Sequence, residues 1–179
     1  MKRHRCISPR DMPKIARIKK RHLLKAKEQK ILSEQLDRDL GNGRTKLSEE
    51  RRLEEGVLED GSKIYLSEGI IVFFELEGRI FPALRSVLDG LVQIPQVVVD
   101  MGAVKFVVNG ADVMRPGVTK VDDGIIQGSI VSIVDEKHGK PLAIGVSTMS
   151  SDDMRNAVSG KVVLSKHHVG DELWEYGKS

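Results

Sequence analysis

Any chemistry in this 179-residue chain would have to start from very few residues. Cys6 is the single cysteine, so neither an internal disulfide nor a thiolate zinc cage can form. Its basic neighbours are the setting of a lowered thiol pKa, although an inert terminal residue is the plainer reading. His167-His168 offers two imidazoles, but neighbours on a strand point to opposite faces and would not chelate one ion together. His4 and Cys6 would share a strand face, and two ligands do not make a metal site. Asp122-Asp123 and Asp152-Asp153 read as a loop and a helix start. A paired-carboxylate acid–base role needs a partner carboxylate and a pocket, and neither is legible. The chain has no Gly-x-Ser-x-Gly elbow, no Gly-x-x-x-x-Gly-Lys loop and no Gly-x-Gly-x-x-Gly after a strand. Gly41-Asn42-Gly43 and Asn109-Gly110-Ala111 read as turns. The expectation is a protein that is not an enzyme and that carries no metal and no cofactor.

What the residues do offer is cationic charge. The net charge of +3 conceals an asymmetry: residues 1–30 carry +10, residues 31–95 carry −5 and residues 96–179 carry −2. Lysine and arginine at this density displace counterions from a polyanion. The first segment, with Arg17, Lys19, Lys20 and Arg21 in it, is therefore a candidate phosphate-binding surface; a solvated basic helix with no ligand is the bland alternative. Aromatic residues make up 4% of the chain, which leaves few platforms for stacking bases. Phe73, Phe74, Phe81 and Phe106 sit in apolar runs and are expected in the core. Trp174 is expected to pack on a terminal strand, and Tyr176 is the freer candidate for stacking.

Forty per cent hydrophobic and 31% charged residues describe a globular chain. No apolar run approaches the ~20 residues of a membrane span. The basic start lacks a following apolar run and a cleavage site, so no secretory signal is expected and the localisation read from the sequence is cytoplasmic.

The elements that must position these residues fall into two textures. Asp11 and Pro13 look like a helix start, and a helix to about Leu40 fits the recurrence of Leu32, Leu36 and Leu40. Ser48-Glu49-Glu50 would open a short helix through about Glu55. From Ser62 onward the chain reads mostly as short strands: 63–66, 70–74, 97–99, 129–135, 141–147, 161–165 and 172–176. Helices are expected at Pro82–Leu88 and after Ser150, which can cap one through about Val158, and Gly102–Ala111 reads as a small-residue-rich helix or turn. Arg115-Pro116-Gly117 is a sharp loop whose backbone N–H groups can approach a phosphate closely. Pro95 is a plausible boundary, giving domains at 1–94 and 95–179.

The run Val99-Asp100-Met101-Gly102-Ala103-Val104-Lys105-Phe106-Val107-Val108-Asn109-Gly110-Ala111-Asp112-Val113-Met114-Arg115-Pro116-Gly117-Val118 resembles a PUA domain, as do Gly128–Val131, Pro141–Val146 and the closing Gly170-Asp171-Glu172-Leu173-Trp174. The preceding Phe73-Phe74 and Arg79-Ile80-Phe81-Pro82-Ala83-Leu84 are similar to the N-terminal module of one subgroup. That subgroup is the archaeal relatives of the malignant T-cell-amplified-sequence protein and ligatin. The resemblance implies an α+β fold, with an N-terminal helical arm and a small mixed sheet-and-helix module followed by a C-terminal PUA β-barrel (a pseudo-barrel). It also implies a non-catalytic RNA-binding protein acting in translation initiation or recycling on tRNA or small-subunit rRNA. The small ribosomal subunit and a translation-factor protein are the implied partners. The implied contacts are Lys105, Asn109, Gly110, Arg115, Gly117 and Lys120, flanked by Lys161, Lys166 and His167, with Arg17, Lys19, Lys20 and Arg21 neutralising phosphate. An RNA-guiding accessory of a pseudouridine synthase or tRNA-guanine transglycosylase is the alternative, and a docking role for the acidic middle segment is a third reading.

Overall fold

The computed structural model describes residues 17–47 and 51–176. The expected helix starts at Asp11 and Ser48 lie outside them.

The described chain opens on a strand, β1 (Ile18–Leu23), ahead of the helix α1 (Ala26–Leu40). Helix was expected across both. Ile18-Lys19-Lys20-Arg21-His22-Leu23 has apolar residues only at its ends, so a helix there would have no stripe to bury. The segment instead pairs antiparallel with β3 (Glu54–Leu58), forming the edge of a sheet. In α1 the four-residue spacing of Leu32, Leu36 and Leu40 does its expected work, since these are its buried residues. β3 also replaces the short helix expected through Glu55.

β2 (Arg44–Thr45) pairs with β7 (Val92–Gln93) as a small ribbon. Between them β4 (Lys63–Ser67), β5 (Ile70–Leu76) and β6 (Arg79–Pro82) complete a five-stranded antiparallel sheet in the order β1-β3-β4-β5-β6. Ile71, Val72, Phe73 and Phe74 are all buried, so the sheet is covered on both faces. α2 (Leu84–Leu88) follows; Pro82, expected to open it, instead ends β6.

Beyond Pro95 come β8 (Gln96–Val99), α3 (Met101–Val107), β9 (Val113–Met114), a single 3-10 turn at Arg115–Gly117, and β10 (Val118–Val121). β11 (Ile130–Asp135) and β12 (Pro141–Ser147) form the expected hairpin. α4 (Ser151–Asn156), β13 (Lys161–His168) and α5 (Glu172–Glu175) close the chain. Ser150 caps α4 as expected, accepting from the Asp153 N–H at 3.1 Å. The last segment, expected as a strand, is the helix α5: Asp171 Oδ1 accepts from the Trp174 N–H at 2.9 Å and nucleates a turn.

The six strands run β10-β8-β11-β12-β13-β9, with only β8 and β11 parallel. β9 and β10 are the two edges of this sheet, yet only the three-residue turn separates them in sequence. The sheet must therefore curl until its edges nearly meet, giving a barrel-like closure. Val97, Val99, Val131, Ile133 and Val163 are among the residues filling its interior. Strand alternation turns Ile130 to the outer face, and Ile130, Ile144 and Leu173 join the core of the first sheet. Polar ties reinforce this shared layer. Arg79 donates to Gly128 O at 2.9 Å and to Asp39 O at 3.1 Å, and Asn42 Nδ2 donates to Gly124 O at 2.8 Å. No helix among the described residues is long and apolar enough to cross a membrane.

Candidate nucleic-acid interface

The 3-10 turn is held against the start of α3 through Asp100. The Asp100 N–H donates to Gly117 O at 2.9 Å, and Asp100 Oδ1 caps the helix by accepting from the Ala103 N–H at 2.9 Å. A Cβ on Gly117 would lie 3.0 Å from the Ala103 Cβ, so glycine is what lets the turn come this close. The result is an open cleft of about 460 Å³, lined by Gly102, Ala103, Phe106, Met114, Pro116 and Gly117 among others.

Phe106 is 57% exposed on this cleft, and Met101 and Met114 are exposed with it. Phe106 is therefore not a core residue. The core phase of α3 runs through Val104, Val107 and Val108, and Phe106 falls opposite it, beside Gly102 and Ala103. Helical phase was the signal in the sequence that separates Phe106 from its apolar neighbours.

Two cations rim the cleft. Lys105 Nζ stands 5.1 Å from the Phe106 ring centroid, a cation–π distance. Lys161 lies across from Met114 in the strand register and pairs with Asp112 at 3.1 Å. Asn109 is exposed and donates through Nδ2 to Lys105 O at 2.7 Å, closing the last turn of α3. Gly110 sits at φ +86°, and a Cβ there would lie 2.8 Å from His168 Nε2, so any side chain would be strained and would force the ring to shift. Lys120 is exposed on β10 and Lys166 half-buried on β13.

Two expected contacts are turned elsewhere. Arg115 is half-buried, and its guanidinium donates to Met154 O at 2.5 Å and to Val118 O at 3.0 Å, tying the turn to α4. His167 is 1% exposed and lines none of the α3 cleft. Its Nδ1 lies 2.7 Å from Asp171 Oδ2, and its ring meets Phe74 edge-on at 5.4 Å. Burial alone would raise the Asp171 carboxyl. The His167 bond and the N–H groups of His168 and Trp174 outweigh burial and hold the carboxyl below the usual carboxylate range.

Arg17, Lys19, Lys20 and Arg21 are all exposed on or beside β1, on the other sheet. Arg21 forks onto Glu54 at 2.5 and 2.9 Å, which raises the guanidinium and lowers the carboxylate from their ordinary values. Lys19 Nζ donates to Glu59 O at 3.3 Å. Arg17 and Lys20 have no partner among the described residues. Also among the described residues, no three His, Cys, Asp or Glu side chains gather as a metal site requires.

Residues 95–169, the barrel and its cleft, match the PUA domain family, and residues 20–89 match a domain of unknown function, DUF1947. Protein MJ1432 of Methanocaldococcus jannaschii is 33% identical over 159 residues, covering 89% of this chain and 98% of that protein. Translation machinery-associated protein 20 of Saccharomyces cerevisiae is 34% identical over 124 residues, covering 66% of this chain and 68% of the relative. The crystal structure of a hypothetical protein from Pyrococcus horikoshii superposes with a TM-score of 0.74 at 32% identity, over 87% of this chain and 98% of that one. The chain belongs to the family of PUA-domain proteins that includes translation machinery-associated protein 20 and malignant T-cell-amplified sequence 1.

Proposed function

We propose that this protein is an RNA-binding factor of translation with no chemistry of its own. In this reading it holds tRNA or small-subunit rRNA on the α3 cleft and works beside the small ribosomal subunit and a partner factor. The observation that carries the reading is the cleft itself: an apolar, solvent-open slot with Phe106 at its mouth, rimmed by Lys105 and Lys161, in the segment that matches the PUA family. An unstacked base can lie on Phe106 and Met114 while the lysines meet its phosphates. Translation-associated relatives support the setting.

In the same reading Asn109, Gly110, Gly117, Lys120 and Lys166 shape or flank the bound strand, Arg115 positions the turn, and the β1 cations add phosphate contacts. The proposed division of labour falls at 94/95, with the PUA half reading the RNA and the first half supplying charge. Two surfaces on one RNA gain from effective concentration. Because both halves share one apolar layer, the two surfaces keep a fixed relation.

Salt-titrated binding to tRNA and to small-subunit rRNA tests the proposal. Phe106→Ala is expected to cost about 1–3 kcal/mol of binding, the worth of one base–aromatic stack, with little change in thermal stability. Failure of the unmodified protein to bind either RNA at low salt would remove the reading.

A further inference from the structure

Where the two halves meet, a second cavity of about 170 Å³ opens between α2, β5, β13 and α5. Ile70, Ala83, Arg85, His167, Trp174 and Tyr176 line it. None of these residues belongs to the α3 cleft.

Arg85 is the anomaly. The other half-buried arginines among the described residues all spend their guanidinium on oxygen: Arg51 on Ser67 Oγ, Arg79 on Gly128 O and Asp39 O, and Arg115 on Met154 O and Val118 O. Arg85 stacks on Trp174, 5.0 Å from the ring centroid, and has no hydrogen bond or ion pair among the described residues. A half-buried guanidinium with unused donors is costly unless something accepts them.

The other walls carry polar atoms in the same state. His167 is almost fully buried, and its Nδ1 is committed to Asp171, which leaves Nε2 without a partner. With Asp171 accepting from Nδ1, the ring leaves Nε2 as an acceptor. A hydroxyl of a singly protonated phosphoryl group can donate to it. Tyr176 Oη also has no hydrogen-bond partner among the described residues, and Arg21 lies close enough to Tyr176 to interact with it electrostatically.

Size and sign then narrow the guest. The cavity is well below the ~300 Å³ at which sites begin to enclose whole drug-sized ligands. It fits one small group, with anything attached to that group left outside. A cation would face Arg85, and an apolar group would leave three sets of polar atoms unsatisfied. A carboxylate is planar, whereas these polar groups come from three separate elements: α2, β13 and the residue after α5. A tetrahedral oxyanion suits that arrangement. We infer that this seam cavity binds a terminal phosphoryl group, with Arg85 as the forked partner and His167 and Tyr176 completing the cradle.

Trp174 is the single tryptophan in the chain, so its emission reports directly on Arg85. The full chain is titrated with inorganic phosphate, with adenosine monophosphate, and with a short oligoribonucleotide bearing either a 5′-phosphate or a 5′-hydroxyl. Chloride at matched ionic strength is the control. A saturable change in Trp174 emission is expected with phosphate and not with chloride. Arg85→Gln should abolish the emission change and weaken phosphate binding, read by phosphorus resonance broadening, by about tenfold or more. The phosphoryl compound that saturates at the lowest concentration identifies the source of the group. Tyr176→Phe removes only a hydroxyl and decides the matter if Arg85→Gln does not fold; it should weaken phosphate binding measurably. Phosphate behaving like chloride, or binding equally well in both variants, would overturn the inference. This result is separable from the RNA reading, because Arg85 and Tyr176 line none of the α3 cleft and Phe106 lines none of the seam cavity.

Discussion

Arg115 donates to Met154 O and Val118 O, two carbonyls that hold the 3-10 turn between α4 and β10. Removing it strands both acceptors, so Arg115→Ala is expected to lose about 1.5–3 kcal/mol of stability, read from the denaturant midpoint. RNA affinity should follow only as far as the turn loosens. Gly110 is held at φ +86° beneath His168, and Gly110→Ala should destabilise by about 1–3 kcal/mol in the same measurement. Asp171 carries a pH dependence. Its folded pKa is depressed, so it contributes stability that is present above the unfolded value of ~4 and lost as pH falls through the folded one. Asp171→Asn keeps a capping side chain but no charge. The variant should be less stable than the parent at neutral pH, and the gap should close in acid, as followed by thermal melts across the range.

At the scale of elements, β1 is the informative case. It is an edge strand carrying Lys19, Lys20, Arg21 and His22, charges that discourage pairing with a second copy. Counting all four candidate cations from Arg17 to Arg21 would predict a loss of about four units of salt slope on neutralisation. Arg21 is already forked onto Glu54, and Lys19 reaches the Glu59 carbonyl. Neutralising Arg17 and Lys20 together should therefore reduce the slope by about two units, and adding Lys19 and Arg21 should change it little. Binding isotherms at several salt concentrations check this.

For the whole molecule, the decisive feature is the apolar layer common to both halves, with Ile130, Ile144 and Leu173 standing in the core of the first sheet. Either half alone would expose that layer to water. The chain should unfold in a single transition, with far-ultraviolet dichroism and Trp174 fluorescence coincident. Ile144→Ala should cost about 2–5 kcal/mol and shift both signals together. Two separated transitions would show that the halves fold independently.

The parts of the fold legible in the sequence are those encoded within a few residues. The Leu32-Leu36-Leu40 spacing marks the buried face of α1, Ser150 caps α4, and the β11–β12 hairpin is written in its own strands. The run from Val99 to Val118 likewise carries the PUA resemblance on its own. What it could not show is sidedness and partnership. Ile18–Leu23 becomes a strand because residues 54–58 offer it an edge, and the chain from Glu172 turns helical because Asp171 caps it while Leu173 finds a core in the other half. Arg115 faces Met154, 39 positions away, and His167 is buried against Phe74. Short-range spacing determines propensity and local caps. Only tertiary packing decides which face meets water, because burial is settled by residues far apart in the chain.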